Sequence, residues 1–254
     1  MEPELLRLRG ENRKLGEQVS LFQDLLKVQV VINELLWIDS GRYLAFCKEY
    51  AGTHQTADAL ISAVIKPDAQ LETIYRALAW VFSTIVLSKG YEVHVTVMEE
   101  ARDGGPERLV FTWYNKTPLI STTPEYKRGE TFQKNSRYSA SIAWQSHQMI
   151  IVPDIEAELH HHRKKKEEQL YCHEVKDGGT RRQGSLISYS VFDEQRKVLV
   201  CVVNMYALEP QCFTEEKRWF YQHIFYQFSI LIVHEARKAA DADLLRDPPT
   251  STAS

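Results

Sequence analysis

Two apolar runs, Ser185-Leu186-Ile187-Ser188-Tyr189-Ser190-Val191-Phe192 and Lys197-Val198-Leu199-Val200-Cys201-Val202-Val203-Asn204-Met205-Tyr206, flank the polar tetrapeptide Asp193-Glu194-Gln195-Arg196. β-Branched and aromatic residues dominate both runs, and the tetrapeptide has the composition of a turn, so the stretch predicts two strands joined in sequence. Phe213-Thr214-Glu215-Glu216 then starts a closing helix. Along it Phe220, Ile224, Phe228, Leu231 and Glu235 recur on one face, which Tyr221, Phe225 and Ile232 widen. From 241 onward the residues are small, polar and proline-containing, the composition of a disordered tail.

Upstream the same reading gives the rest of the sheet. Met149-Ile150-Ile151-Val152 is a short apolar strand stopped by Pro153-Asp154, and residues 138–145 predict a short helix before it. Earlier, Val93, Val95 and Val97 alternate with His94, Thr96 and Met98. Past the turn Asp103-Gly104-Gly105-Pro106, Leu109, Phe111 and Trp113 alternate in the same way, giving an antiparallel hairpin. A polar connection covers 115–135 and a charged, weakly periodic stretch covers 156–183. Before the hairpin, Pro67-Asp68 opens a helix in which Leu71, Ile74, Leu78, Val81, Phe82 and Ile85 share a face, ending near Ser88-Lys89-Gly90.

The N-terminus carries a different periodicity. Leu5, Asn12, Val19, Leu26 and Asn33 occupy one heptad position, and Leu8, Leu15, Phe22, Gln29 and Leu36 another. These are the a and d spacings of a left-handed coiled coil, and Asn at a favours a parallel, in-register pair. The alternative is a single amphipathic helix packed on its own domain. From Leu25 the apolar stripe widens through Val28, Val31, Ile32, Leu35 and Trp37, beyond what a two-stranded seam requires, so the helix is expected to meet more protein there. Asp39-Ser40-Gly41 interrupts or dents the pattern, and a second short helix is expected at 56–65. The expected organisation is a coiled-coil dimerisation helix at 1–38, a helical connector at 39–66, an α+β domain at 67–240 and the tail at 241–254.

Composition limits the possibilities. The chain has 254 residues, 44% of them hydrophobic, and a formal net charge of −3 with both signs interspersed. A hydrophobic core is therefore affordable, and a broad basic surface for nucleic acid is not implied. Cys47, Cys172, Cys201 and Cys212 are widely spaced, no stretch has the form of a signal peptide, and the apolar run at 224–233 is too short to span a bilayer. A reducing cytoplasm is the expected location.

The order helix, strand, strand, short helix, strand, charged loop, strand, strand, helix over 67–237 resembles the GAF domain of signalling proteins. Ile142-Ala143-Trp144-Gln145-Ser146 followed by Ile150-Ile151-Val152-Pro153-Asp154-Ile155 is similar to the family's short helix, strand and acidic turn. The run from Gly184 to Val191 resembles its penultimate strand, with Ser190 where a Pro is usual. The run from Lys197 to Asn204 resembles its last strand, with Val200 in place of a common Gly. The resemblance implies an antiparallel sheet with helices packed on one face and a ligand cavity on the other, roofed by variable loops. On that premise Trp113, Tyr138, Asp154, Arg181, Arg182, Ser185 and Tyr189 are the candidate ligand contacts. Ring faces stack, guanidinium groups pair with carboxylate or phosphate, and an acceptor such as Asp154 orients a donor.

Other chemistries within the resemblance fit less well. His160-His161-His162 with Cys172-His173 invites a metal, but adjacent histidines do not converge on one ion and Arg163-Lys164-Lys165-Lys166 repels a cation, so a solvated loop is expected. Bilin-binding relatives carry a Cys-His pair where Cys172-His173 stands, yet the Trp-Gly-Leu type last strand is absent, and haem on these histidines is equally unsupported. Free methionine sulfoxide reductases need paired thiols where this chain has Ser139, Ser141 and Ser146. Cyclic-nucleotide binders carry an Asn-Lys pair that Asn204-Met205 lacks. No catalytic constellation emerges. The expected function is a homodimeric, ligand-binding sensor acting on a downstream protein, with a ligand-free adaptor as the alternative and a sulfoxide reductase third.

Overall fold

The computed structural model describes residues 2–50, 67–87, 91–101, 107–115, 131–133, 139–161 and 183–246. Helix α1 (Glu2–Tyr50) is continuous, so Asp39-Ser40-Gly41 does not end it. A glycine inside a helix costs only about 1 kcal/mol, which long flanking segments absorb. The boundary expected at residue 38 is thus not a break in the backbone, and the short helix expected at 56–65 lies outside the described residues. Helix α2 (Pro67–Trp80) starts on its proline and runs into a π-helical turn (Val81–Val86), whose register shows in the bond from Leu87 N to Phe82 O at 3.0 Å.

Among the described residues six strands form one antiparallel sheet: β1 (Val93–Glu100), β2 (Arg108–Tyr114), β3 (Thr131–Gln133), β4 (Ile150–Val152), β5 (Ser185–Asp193) and β6 (Val198–Ala207). Their order is β3-β2-β1-β6-β5-β4, with β1 and β6 central. Helices α3 (Ser139–Ser146) and α4 (Ile155–His161) flank β4 in sequence, and α5 (Arg218–Arg246) follows a 3₁₀ turn at Glu215–Lys217. This is the α+β arrangement expected, an antiparallel sheet with helices packed on it. Three elements correct the sequence reading. β3 lies inside the polar connection, α4 places His160 and His161 in a helix instead of a loop, and α5 continues through Arg246 past the expected start of the tail.

One face of the sheet carries α2, the π turn and α5. Leu78, Phe82, Phe213, Phe220, Tyr221, Ile224, Phe225 and Phe228 are almost fully buried there against Val95, Val97, Ile187, Val203 and Met205. Phe82 of the π turn touches three rings, Phe213, Tyr221 and Phe225, with centroids 5.2 to 6.1 Å apart, within the range of favourable aromatic pairing. All eight positions expected on the inner face of α5, including Glu235, are buried. The end of β5 is tied to α5 by an ion pair: Arg237 Nε and Nη2 donate to Asp193 Oδ2 and Oδ1 at 2.7 and 2.5 Å.

Helix α1 presents two faces. Val28 and Ile32 are buried, and Leu21, Leu25, Val31 and Leu35 pack against the helical core, where α1 meets α5 and the π turn. The predicted seam points elsewhere. Leu15, Val19, Phe22 and Leu26 are 50% to 65% exposed, and Asn12 and Asn33 are exposed too. At 3.6 residues per turn the two stripes lie roughly 140° apart. The helix therefore docks on its own domain and keeps its heptad seam open. Trp37 departs from the expectation, being 77% exposed instead of joining the docked stripe. The side chains of Leu5 and Leu8 lie outside the described residues. Among the described residues no helix is long and apolar enough to cross a membrane.

Candidate functional site

Among the described residues, the other face of the sheet carries only short helical cover. Met98, Leu109, Phe111 and Val202 from β1, β2 and β6 meet Leu186, Ile150 and Val152 beneath Ala140, Ala143 and Trp144 of α3, with Ile155 at the start of α4. Into this apolar surface the three strands β1, β6 and β5 insert polar side chains at adjoining positions, because Thr96 pairs with Asn204 and Ser188 with Asn204 across the ladder. Ser188 Oγ donates to Asn204 Oδ1 at 2.6 Å. Ser188 Oγ also donates toward Ser139 Oγ at 2.9 Å, so its one proton is shared between the two acceptors. Asn204 Nδ2 completes the chain toward Thr96 Oγ1 and Met98 Sδ, both at 3.4 Å.

The resulting floor, Ser139–Ser188–Asn204–Thr96, links the first turn of α3 to the centre of the sheet. Ser139 and Ser188 are buried, and Ser141 and Ser190 are buried nearby. Desolvating a hydroxyl or amide costs about 1–3 kcal/mol unless its hydrogen bonds are replaced, so polar groups grouped here need a structural or functional return. The floor extends to His94 and Tyr206, paired across the β1–β6 ladder with ring centroids 6.2 Å apart. The Tyr206 hydroxyl donates to Gln183 O and so pins the chain just ahead of β5.

Most predicted contacts fall elsewhere. Trp113 lies on the helical face, its ring 5.2 Å from that of Tyr75 in α2. The cause is a β-bulge: Val97 pairs with Trp113 and Met98 with Phe111, so Thr112 is the extra residue and the alternation read from Leu109 and Phe111 flips beyond it. Tyr189 also faces the helices, stacked on Phe225 at 4.6 Å with an interplanar angle of 17°, and burial raises its phenol pKa. Ser185 is fully buried on that side, donating to Glu209 O at 3.1 Å and accepting from Phe213 N at 3.3 Å, which fastens the β6–α5 connection. Asp154 caps α4: its Oδ1 accepts from Ala157 N at 2.9 Å and its carbonyl from Glu158 N at 3.0 Å. Tyr138, Arg181 and Arg182 lie outside the described residues.

Tyr189 also borders a groove of about 560 Å³ at the sheet edge, with His147, Met149, Arg218, Gln222 and Tyr226. Arg218, its cationic group, is already occupied by Glu215 at 2.6 and 2.7 Å and by Met149 O at 2.6 Å. Cys201 is buried on the helical face beside the Tyr75 hydroxyl, and burial pushes its thiol pKa up, so it stays protonated across the sheet from the floor. Among the described residues no three His, Cys, Asp or Glu side chains gather as for a metal; His162, Cys172 and His173 lie outside them. The floor residues carried one legible signal, small polar side chains at Ser188 and Ser190 within an apolar run, two residues apart and so on one face.

The structure matches a free methionine-R-sulfoxide reductase from Neisseria meningitidis at TM-score 0.41 and 14% identity, over 74% of this chain and 96% of that one. It matches a putative GAF sensor protein from Burkholderia vietnamiensis at 0.43 and 12%, over 78% and 98% of the two chains. A GAF domain of phosphoenolpyruvate-protein phosphotransferase from Acinetobacter matches at 0.40 and 14%, over 66% and 89%. No protein-family model and no curated protein matches the chain. These are likenesses of fold at low identity, and they assign neither ligand nor activity.

Proposed function

We propose that the chain is a dimeric sensor or regulatory protein that holds a small molecule over the floor Thr96–Asn204–Ser188–Ser139 and signals to a partner protein through its helices. The observation that carries this reading is the hydrogen-bonded polar chain across the adjacent strands β1, β6 and β5, on the face opposite α2 and α5. Local exceptions to apolar packing are where function is expected. The chain of hydroxyls and one amide suits recognition of a polar, uncharged edge of a ligand. A ligand that competes for Ser188 or Asn204 alters the bond to Ser139 and so the seat of α3. To signal, it must favour one arrangement of the helices over another.

A ligand-free adaptor would be favoured if the bulk of Val200, standing where the resemblance has a Gly, filled the floor side of the sheet. Val200 packs with the helical core, so that bulk is not on the floor side. The enzyme reading gains nothing from Cys201, protonated on the opposite face. The test is release of small molecules from denatured protein, comparing wild type with Ser188→Val and Asn204→Leu after purification from the source cells. A compound present near one per chain in wild type and reduced at least about tenfold in both variants is expected. Equal recovery from folded variants would refute the floor as the site.

A further inference from the structure

The heptad of α1, continued toward the domain, places Leu25 and Ile32 at g and Val30 and Trp37 at e. The g residues dock on the chain's own body: Ile32 is buried and Leu25 packs on the helical core. The e residues do not, with Val30 56% and Trp37 77% exposed. Apolar side chains at e widen a seam beyond two helices, so a third helix is needed to cover them. Towards Leu15 the same helix has Gly16 and Gln23 at e, polar or small, as a two-stranded seam requires.

Helix α5 carries a matching uncovered stripe. Trp219, Tyr226 and Ile230 are 51%, 59% and 52% exposed, and Val233 is half-buried. Their spacing of seven, four and three residues is itself a seam, and it lies opposite the face that packs on the sheet. In a parallel coiled coil each e side chain sits beside a g side chain of the other helix. Since g is the side on which α1 meets α5 and the π turn of its own chain, Val30 and Trp37 of one protomer come to lie against α5 of the other.

We infer that a second copy of this chain covers the outer stripe of α5, with Val30 and Trp37 of each protomer packed on Trp219, Tyr226 and Ile230 of its partner. The inference rests on the proposed α1 dimer and extends it from the free coiled coil onto the domain. Half-exposed aromatics bring on the order of 100 Å² each, and a two-fold axis counts every residue twice, which raises a short coiled coil into the range of a stable interface. It also gives α5, which lies on the sheet and is latched to Asp193, a direct contact with the neighbouring protomer.

Sedimentation equilibrium on the full chain tests this with two double variants, Val30→Ser with Trp37→Ser and Tyr226→Ser with Ile230→Ser. All four side chains are more than half exposed, so the fold is expected to survive, with unfolding midpoints as the check. Each double variant should weaken dimerisation at least about tenfold, and the quadruple variant should be little worse than either, because the two pairs share one contact. A dimer constant unchanged within about twofold in the α5 variant, or fully additive effects, overturns the inference while leaving the α1 dimer standing. If wild type is monomeric at about 100 µM, the α1 dimer falls and the inference with it.

Discussion

Replacing Asp193 by asparagine removes a charge and keeps the shape. The side chain is 2% exposed and receives Arg237 Nε at 2.7 Å and Nη2 at 2.5 Å, while Oδ1 also accepts from Gln195 N at 2.9 Å and Arg196 N at 3.1 Å. An asparagine keeps one oxygen for the turn amides and turns its NH₂ group toward the guanidinium, so the turn survives while the Coulomb attraction and one charge-assisted bond are lost. Breaking a deeply buried pair costs about 3–5 kcal/mol. Here the Arg237 side chain is 30% exposed and regains water. The expected loss is about 2 kcal/mol, close to one charge-assisted hydrogen bond. The hydrogen bonds from Arg237, with help from the turn amides, hold the Asp193 carboxyl well below the usual carboxylate range. A lowered folded pKa gives stability that is complete above the unfolded value, about 4, and is lost as pH falls through the folded value. Urea unfolding at pH 7 should therefore show the full gap between wild type and Asp193→Asn, and the gap should narrow in steps below about pH 4. A loss under about 0.5 kcal/mol at pH 7, or a gap undiminished in acid, would refute the reasoning.

Gly184→Ala is expected to cost about 3 kcal/mol or more, because φ is +124° and an added Cβ would lie 2.1 Å from Ala207 O; an unchanged urea midpoint would contradict it. Trp113→Ala should cost about 3 kcal/mol through lost packing against Tyr75. Its recovery of any co-purifying compound should match wild type, since the bulge turns Trp113 away from the floor. Changing both Asn12 and Asn33 to Val should tighten association but relax its stoichiometry, read by light scattering as species above the dimer. A uniform dimer with unchanged affinity would show that these asparagines set no register.

Much of the architecture is legible because burial is one-sided along the helices. The 3.6 period of Phe220, Ile224, Phe228, Leu231 and Glu235 names the inner face of α5, whereas for α1 the structure shows only that Leu15, Val19, Phe22 and Leu26 of the heptad stripe are exposed in the single chain. The floor was harder. From Ser185 to Val191 every residue but Tyr189 is buried, so polarity does not distinguish the two faces of β5, and Ser185 and Tyr189 were assigned to the wrong one. Trp113 was lost to a single extra residue at Thr112, invisible to a period-two reading. Asp154 looked like a ligand acceptor because α4 was not anticipated, and once that helix exists an aspartate at its start has a local task.

Native mass spectrometry of protein purified from its own cells tests the central claim most directly, since one spectrum reads both stoichiometry and bound mass. The account predicts twice the chain mass plus a small molecule per protomer, with that added mass lost from Ser188→Val while the dimer persists. A dimer of bare chains that acquires no ligand from a cell extract would contradict the sensing floor, and a bare monomer would contradict the seam as well.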